Sequence, residues 1–197
     1  MSKTGKTAGI VAVVVLIILG IVIAQYNGLA SSYEAVQEKQ SAVDVAMQRR
    51  VDLIPNLVAT VKSATKHETE VFTALAEARS AYGKASTVDE KSKANSQVSE
   101  ALRQFNVYVE SYPQLKSSEQ YTTLMDQLEG SENRISVARD NYNSEARAYN
   151  SRIRRFPGNI FAGMFGYDTV QYFQADASAS KTPDVGKLMG NWRMGGA

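Results

Sequence analysis

The sequence predicts an all-α protein, with a single N-terminal transmembrane helix continuing into an antiparallel four-helix bundle with long helices. Three observations carry that expectation. Ala8 to Ala24, AGIVAVVVLIILGIVIA, holds seventeen residues without a charge, an amide or a hydroxyl. After it, apolar residues recur at alternating spacings of four and three, the 3.5-residue period of helices packed lengthwise. Only four prolines, Pro55, Pro113, Pro157 and Pro183, divide this pattern.

A helix of that apolar length spans about 25 Å, close to the hydrocarbon core of a bilayer. No other part of the chain is apolar enough to wrap it on all sides, so a membrane role is expected rather than a buried core helix. Lys3 and Lys6 precede the run and the first basic residue after it is Lys39. The positive-inside rule then keeps residues 1–7 in the cytoplasm, inserts 8–25 in the bacterial inner membrane and exports the rest to the periplasmic side. Val22-Ile23-Ala24 has the small-residue spacing of a signal-peptidase site. The run nevertheless exceeds the usual signal-peptide length and leads straight into a helical pattern, so an uncleaved single-pass anchor is expected.

Composition excludes several classes. Setting aside Lys3 and Lys6, 20 basic residues face 20 acidic ones, which leaves no electrostatic footprint for nucleic acid. There is no cysteine, hence no disulfide framework, thiol nucleophile or thiolate metal site. His67 is the single histidine, and no second one stands at the spacing a helical zinc site requires. No cofactor, metal or catalytic constellation is expected; the remaining enzyme reading is a carboxylate site among Asp52, Glu68 and Glu132.

Residues 26–156 read as the bundle. In the first helix Leu29, Tyr33, Val36, Gln40, Val43 and Met47 form the seam, and the helix is expected to end near Arg50. Pro55 suits the first turn of a helix and Asp52 a cap, so Arg49 to Asn56 reads as a helix–helix corner far from the membrane. Arg49, Arg50, Asp52 and Asn56 are the candidate partner-binding residues there. The second helix is expected from Pro55 to Tyr82, with Leu57, Val61, Phe72, Leu75 and Arg79 on its seam. Gly83 to Val88 is a turn signal. Thr87 caps a third helix from Val88 to Tyr112, whose polar first turns should be exposed and frayed. Tyr112-Pro113 breaks it, because the residue before proline is driven out of the α region.

The fourth helix is expected from Leu115 to Phe156, through Gly130. Its later half carries Asn133, Asn141, Asn143 and Asn150, a polar network fixing register or, less favoured, a ligand site. Helix parity returns its end to the lipid surface, where Arg152, Arg154, Arg155 and Phe156 precede a glycine-rich aromatic stretch. Residues 157–173 therefore either rest on lipid headgroups or cover the bundle end, with Tyr26, Phe161 and Phe165 as further membrane-interface candidates. Asp168 to Phe173 reads as an extended strap. Residues 174–197 read as a flexible tail with one apolar spot at Leu188, Met189 and Trp192.

The RRVDLIPNLV segment at 49–58 resembles the LemA family of bacterial membrane proteins. Tyr26-Asn27, Glu77-Ala78-Arg79, Tyr112-Pro113-Gln114-Leu115, Glu132-Asn133-Arg134-Ile135, Ala138-Arg139, Tyr142-Asn143, Tyr149-Asn150 and Phe156-Pro157 extend the resemblance, over roughly residues 8–173. It implies an N-terminal membrane helix and a helical bundle, no catalytic residues, and a membrane protease among the partners. The function expected is a non-enzymatic envelope scaffold or adaptor that self-associates or binds other envelope proteins; the alternative is a membrane-shaping or lipid-sensing module acting through 152–167.

Overall fold

The computed structural model describes residues 3–64 and 70–174, and all its regular elements are helices. They are α1 (Lys3–Ala64), α2 (Glu70–Lys84), α3 (Val88–Val109), α4 (Pro113–Lys116), α5 (Glu119–Arg154) and α6 (Gly158–Phe165). His67, Glu68 and the tail residues Leu188, Met189 and Trp192 lie outside the described residues.

α1 is one helix of 62 residues, about 90 Å long at 1.5 Å per residue. From Ile10 to Ile23 its large apolar side chains are exposed, apart from the half-buried Val22, whereas Leu29, Val36, Val43 and Leu57 are fully buried. The expected end at Arg50 and corner at Pro55 are therefore corrected: the helix runs through Pro55 to Ala64. An interior proline removes one hydrogen bond and costs about 3 kcal/mol. Here Met47, Val51, Ile54, Leu57 and Val61 stay buried in unbroken register, while Pro55 and Asn56 face outward. Five buried side chains outweigh that cost at about 1.5–3 kcal/mol each. The second helix consequently begins at Glu70, and Ala78 rather than Arg79 occupies its buried face.

Side-chain contacts fix the direction of each neighbour. Arg50 meets Glu132 while Ser32 meets Arg152, so α5 runs antiparallel to α1. Lys62 lies over the Phe72 ring and Tyr82 donates to the Asp44 carbonyl, so α2 also descends along α1. Lys91 pairs with Asp44 and Asn95 with Arg50, so α3 climbs beside it. Phe72 packs on Phe105 and Tyr108, closing α2 against α3.

Local signals explain the joints. Thr87 and Glu90 form a reciprocal capping box at the start of α3. Hydrogen bonds from Ser86 and Thr87 hold the Glu90 carboxyl down at about 2. This end is less exposed than expected: Lys91 is tied to Asp44, and Ala94 and Asn95 are buried. α3 ends at Val109, three residues short of the expected Tyr112, which instead precedes Pro113 at the start of α4; α4 and a Ser118 cap then delay α5 from the expected Leu115 to Glu119, and it passes through Gly130 unbroken.

At the other end of α5 the chain turns sharply at Pro157 into α6, which packs on both α1 and α5. A side chain on Gly158 would collide with the Arg152 carbonyl, a backbone atom that cannot step aside. Gly163, on the same helix, has open space around it. Gly158→Ala should therefore undock α6, seen as faster amide exchange over 158–166, while Gly163→Ala leaves exchange there unchanged or slower.

Candidate functional site

Three surfaces hold the sequence-predicted residues. The first is the segment 49–56. Arg49, Asp52 and Asn56 are exposed and line one open cleft of about 830 Å³ on the flank of α1, together with Asp44 of the same helix, Tyr82 of α2 and Lys91 of α3. Gln48 donates to Asp52 at 2.7 Å. Burial, with Asp44 and Asp52 adding to it, pushes the Tyr82 hydroxyl up to about 12.

Arg50 does not share that cleft. It takes the heptad position of Leu29, Val36, Val43 and Leu57 and is buried with them. Its guanidinium pairs with Glu132 at 2.6 Å and donates to Asn95 and Ser99, each at 3.1 Å. Asn95 likewise interrupts the buried Leu102 and Val109 positions of α3. The result is a polar layer joining α1, α3 and α5, so Arg50, a partner-binding candidate in the sequence, is buried inside the fold. It also engages Glu132, which the carboxylate-site reading had required. Pairing across a core at one heptad position fixes register. The missed signal was the period itself: Arg50 lies seven residues from both Val43 and Leu57.

The second surface is the membrane-side end. Arg152 lies across Gly28 and donates to Ser32 Oγ at 2.8 Å, while Ser32 donates to the Gly28 carbonyl at 2.9 Å. Tyr26 meets Phe165 edge-on at 5.0 Å between centroids, and Phe165 stacks on Phe161. Phe161 and Phe165 are therefore half-buried against the protein. The outward apolar residues are Phe156, Ile160 and Met164, at 81%, 53% and 62% exposure, beside the exposed Arg154 and Arg155. α6 therefore covers the bundle end with one side, resting on α1 and α5, and turns its other side outward.

The third surface is the strap, which is extended from Tyr167 to Gln174 and lies along α5. Asn150 donates to the Val170 carbonyl and accepts from the Val170 N–H, both at 2.9 Å. Asn143 does the same to Phe173, both at 2.9 Å. Tyr149 donates to the Asp168 carbonyl at 3.0 Å and Tyr142 to that of Gln171 at 2.8 Å. Each Tyr-Asn pair sits seven residues from the next, about 10.5 Å along the helix. Three extended residues cover about 10 Å, so the two repeats match. Burial pushes the Tyr149 hydroxyl up to about 12, helped by Tyr33, Tyr167 and Asp168, and it remains a protonated donor at neutral pH. Asn143 and Asn150 thus read the strap backbone, where the sequence pointed to a polar network fixing register or a ligand site. Asn133 and Asn141 are exposed and outside it.

Among the described residues no three His, Asp or Glu side chains gather where they could hold a metal ion. These features define a class: an all-helical, membrane-associated protein with one N-terminal helix long and apolar enough to cross a bilayer. Residues 39–186 match the model of the LemA family, and the chain belongs to that family. It is 27% identical over 187 residues to the magnetosome protein MamQ of Magnetospirillum gryphiswaldense, covering 82% of this chain and 68% of the relative. Magnetosome protein MamQ 2 of Paramagnetospirillum magneticum matches with the same identity and coverage. Protein LemA of Metamycoplasma hominis is 25% identical over 166 residues, covering 82% of this chain and 74% of the relative.

Exposure separates the neighbouring arginines. Removing Arg50, whose side chain is 6% exposed, strips the polar layer but leaves Glu132, at 46%, able to reach water. The cost of Arg50→Ala should then fall below the 3–5 kcal/mol of a fully buried pair, at about 2 kcal/mol. Arg49→Ala should change stability by about 0.5 kcal/mol or less. Denaturant unfolding of the two variants checks the contrast.

Proposed function

We propose that this protein is a non-enzymatic, membrane-anchored helical scaffold or adaptor of the bacterial cell envelope. It is anchored once in the inner membrane, and α1, α2, α3 and α5 form an antiparallel four-helix bundle on the periplasmic side. The observation that carries the reading is the continuity of α1. One uninterrupted helix passes from an apolar run exposed on every face into a core buried on one face, so the anchor and the packed domain move as one body. Such a rod holds a binding surface at a set height above a bilayer, which suits presentation better than turnover. Supporting it, the charged groups at the centre of the fold, Arg50, Glu132, Lys91 and Asp44, are paired with one another.

Partners are other copies of the chain or other envelope proteins, a membrane protease among them, with the Arg49, Asp52 and Asn56 cleft as the surface open to a soluble domain. Light scattering on the full-length protein in mild detergent tests self-association. A defined assembly larger than one chain is expected; a monomer at all concentrations sinks that version and leaves the adaptor version alone.

A second reading, a lipid-sensing or membrane-shaping module, is favoured by Phe156, Ile160 and Met164 facing outward beside the end of the apolar run. The chain has no cysteine, so one introduced at Met164 or at the exposed Val137 of α5 can be labelled uniquely. With the protein in nanodiscs, lipid-borne quenchers should dim a label at 164 and spare one at 137. Equal quenching would remove this reading.

A further inference from the structure

The turn from α5 into α6 encloses a cleft whose charge the chain itself does not balance. It is open, of about 350 Å³, and lined by Gln25 of α1, by Ser151, Arg152 and Arg155, and by Phe156 and Gly158 at the turn. That size lies within the range of small-ligand sites, about 300–1,000 Å³. Its lining holds two guanidinium groups and no carboxylate. Among the described residues the Arg155 side chain meets no carboxylate, whereas Arg50 and Lys91 in the core are each paired with one.

Arg152 is held in place there. Gly28 has no side chain, so the guanidinium lies across α1 and donates to Ser32 Oγ at 2.8 Å. That bond uses one guanidinium N–H and leaves others for a second acceptor. A cation already fixed in position gives up little further freedom when it binds.

Depth and the neighbouring surface select the occupant. Gly28 stands four residues past Ala24, the end of the apolar run, which is about 6 Å along the helix. The headgroup layer occupies about 5–7 Å on each side of the hydrocarbon core. With the run in a bilayer, Arg152 therefore lies at the level of the lipid phosphates, and Arg155 shares its cleft. Phe156, Ile160 and Met164 recur every four residues beside them and are exposed. Two guanidinium groups next to an apolar stripe match an amphiphile, its anionic head on the arginines and its chains past the stripe. A soluble anion would use the charge and leave the stripe uncovered.

We infer that the Arg152–Arg155 cleft binds the phosphate of an anionic phospholipid, whose acyl chains run past Phe156 toward the apolar segment of α1. This rests on the lipid-facing reading above and adds a headgroup preference to it. A planar guanidinium suits bidentate contact with phosphate oxygens. A zwitterionic lipid carries the same phosphate together with a cation, which the two arginines repel.

Native mass spectrometry of the full-length protein tests this, with the protein released from detergent containing phosphatidylglycerol, phosphatidylcholine or inorganic phosphate. Phosphatidylglycerol should be retained in preference to the other two. Arg155→Gln should weaken its retention about ten-fold or more, while Arg49→Gln, in the cleft far from the membrane, should leave it unchanged. Equal retention of the two lipids, or retention that survives Arg155→Gln, overturns the inference. Inorganic phosphate held as tightly as phosphatidylglycerol also overturns it, because the site would then take a soluble anion. Quenching at 164 in nanodiscs without a headgroup preference refutes the site and leaves the lipid-facing reading standing. Equal quenching at 164 and 137, again without a preference, refutes both.

Discussion

The seven-residue repeat shared by α1 and α5 is the constraint on which the other contacts depend. Leu29, Val36, Val43 and Leu57 face a partner series of Tyr121, Leu128, Ile135, Tyr142 and Tyr149 that runs the opposite way. Both series are straight over many turns, so a contact at one end sets those at the other. The lie of Arg152 over Gly28 is in register with the Arg50–Glu132 pair about six turns away. The polar layer is where this register becomes discrete. An apolar seam tolerates a slip of one heptad, whereas a slipped Arg50 would be left buried without Glu132, Asn95 and Ser99.

The same repeat gives the strap its footing. Tyrosines of the buried series reach past the core with their hydroxyls, and the asparagines one residue later lie just beside them. The helix presents a polar rung every two turns, and an extended chain has a matching residue every third position. A peptide can thus lie on a helix with its backbone polar groups satisfied, which normally demands a neighbouring strand. The aromatic end of the segment, Phe173, settles the remaining choice of register through its pocket.

Much of this was legible in the residues. The apolar run, the seam spacing, the Thr87 cap, the break at Tyr112-Pro113 and the extended character of 168–173 are local signals, and each reappears in the structure. Pro55 misled because the preference of proline for a first helical turn is a statistical tendency, while the decision between start and interior was made by tertiary burial of Val51, Ile54 and Leu57. Arg50 misled for a related reason: beside Arg49 and Asp52 it looks like surface charge, and only its phase in the repeat marks it as interior. The function of Asn143 and Asn150 was out of reach, since their partners are backbone atoms, which leave no trace in side-chain identity.

The unbroken passage of α1 from apolar run to core has a mechanical consequence. Each residue of an α-helix advances by 1.5 Å and turns by about 100°. With no joint between the two regions, the face that the domain presents is set by the angle at which the apolar segment sits among its surroundings. Rotation of the anchor is then transmitted as torque to the Arg49 cleft and to the strap alike. A single residue added near Gly20 would redirect both surfaces by more than a quarter turn while leaving every contact within the domain intact. The protein is keyed to its membrane in azimuth as well as in height.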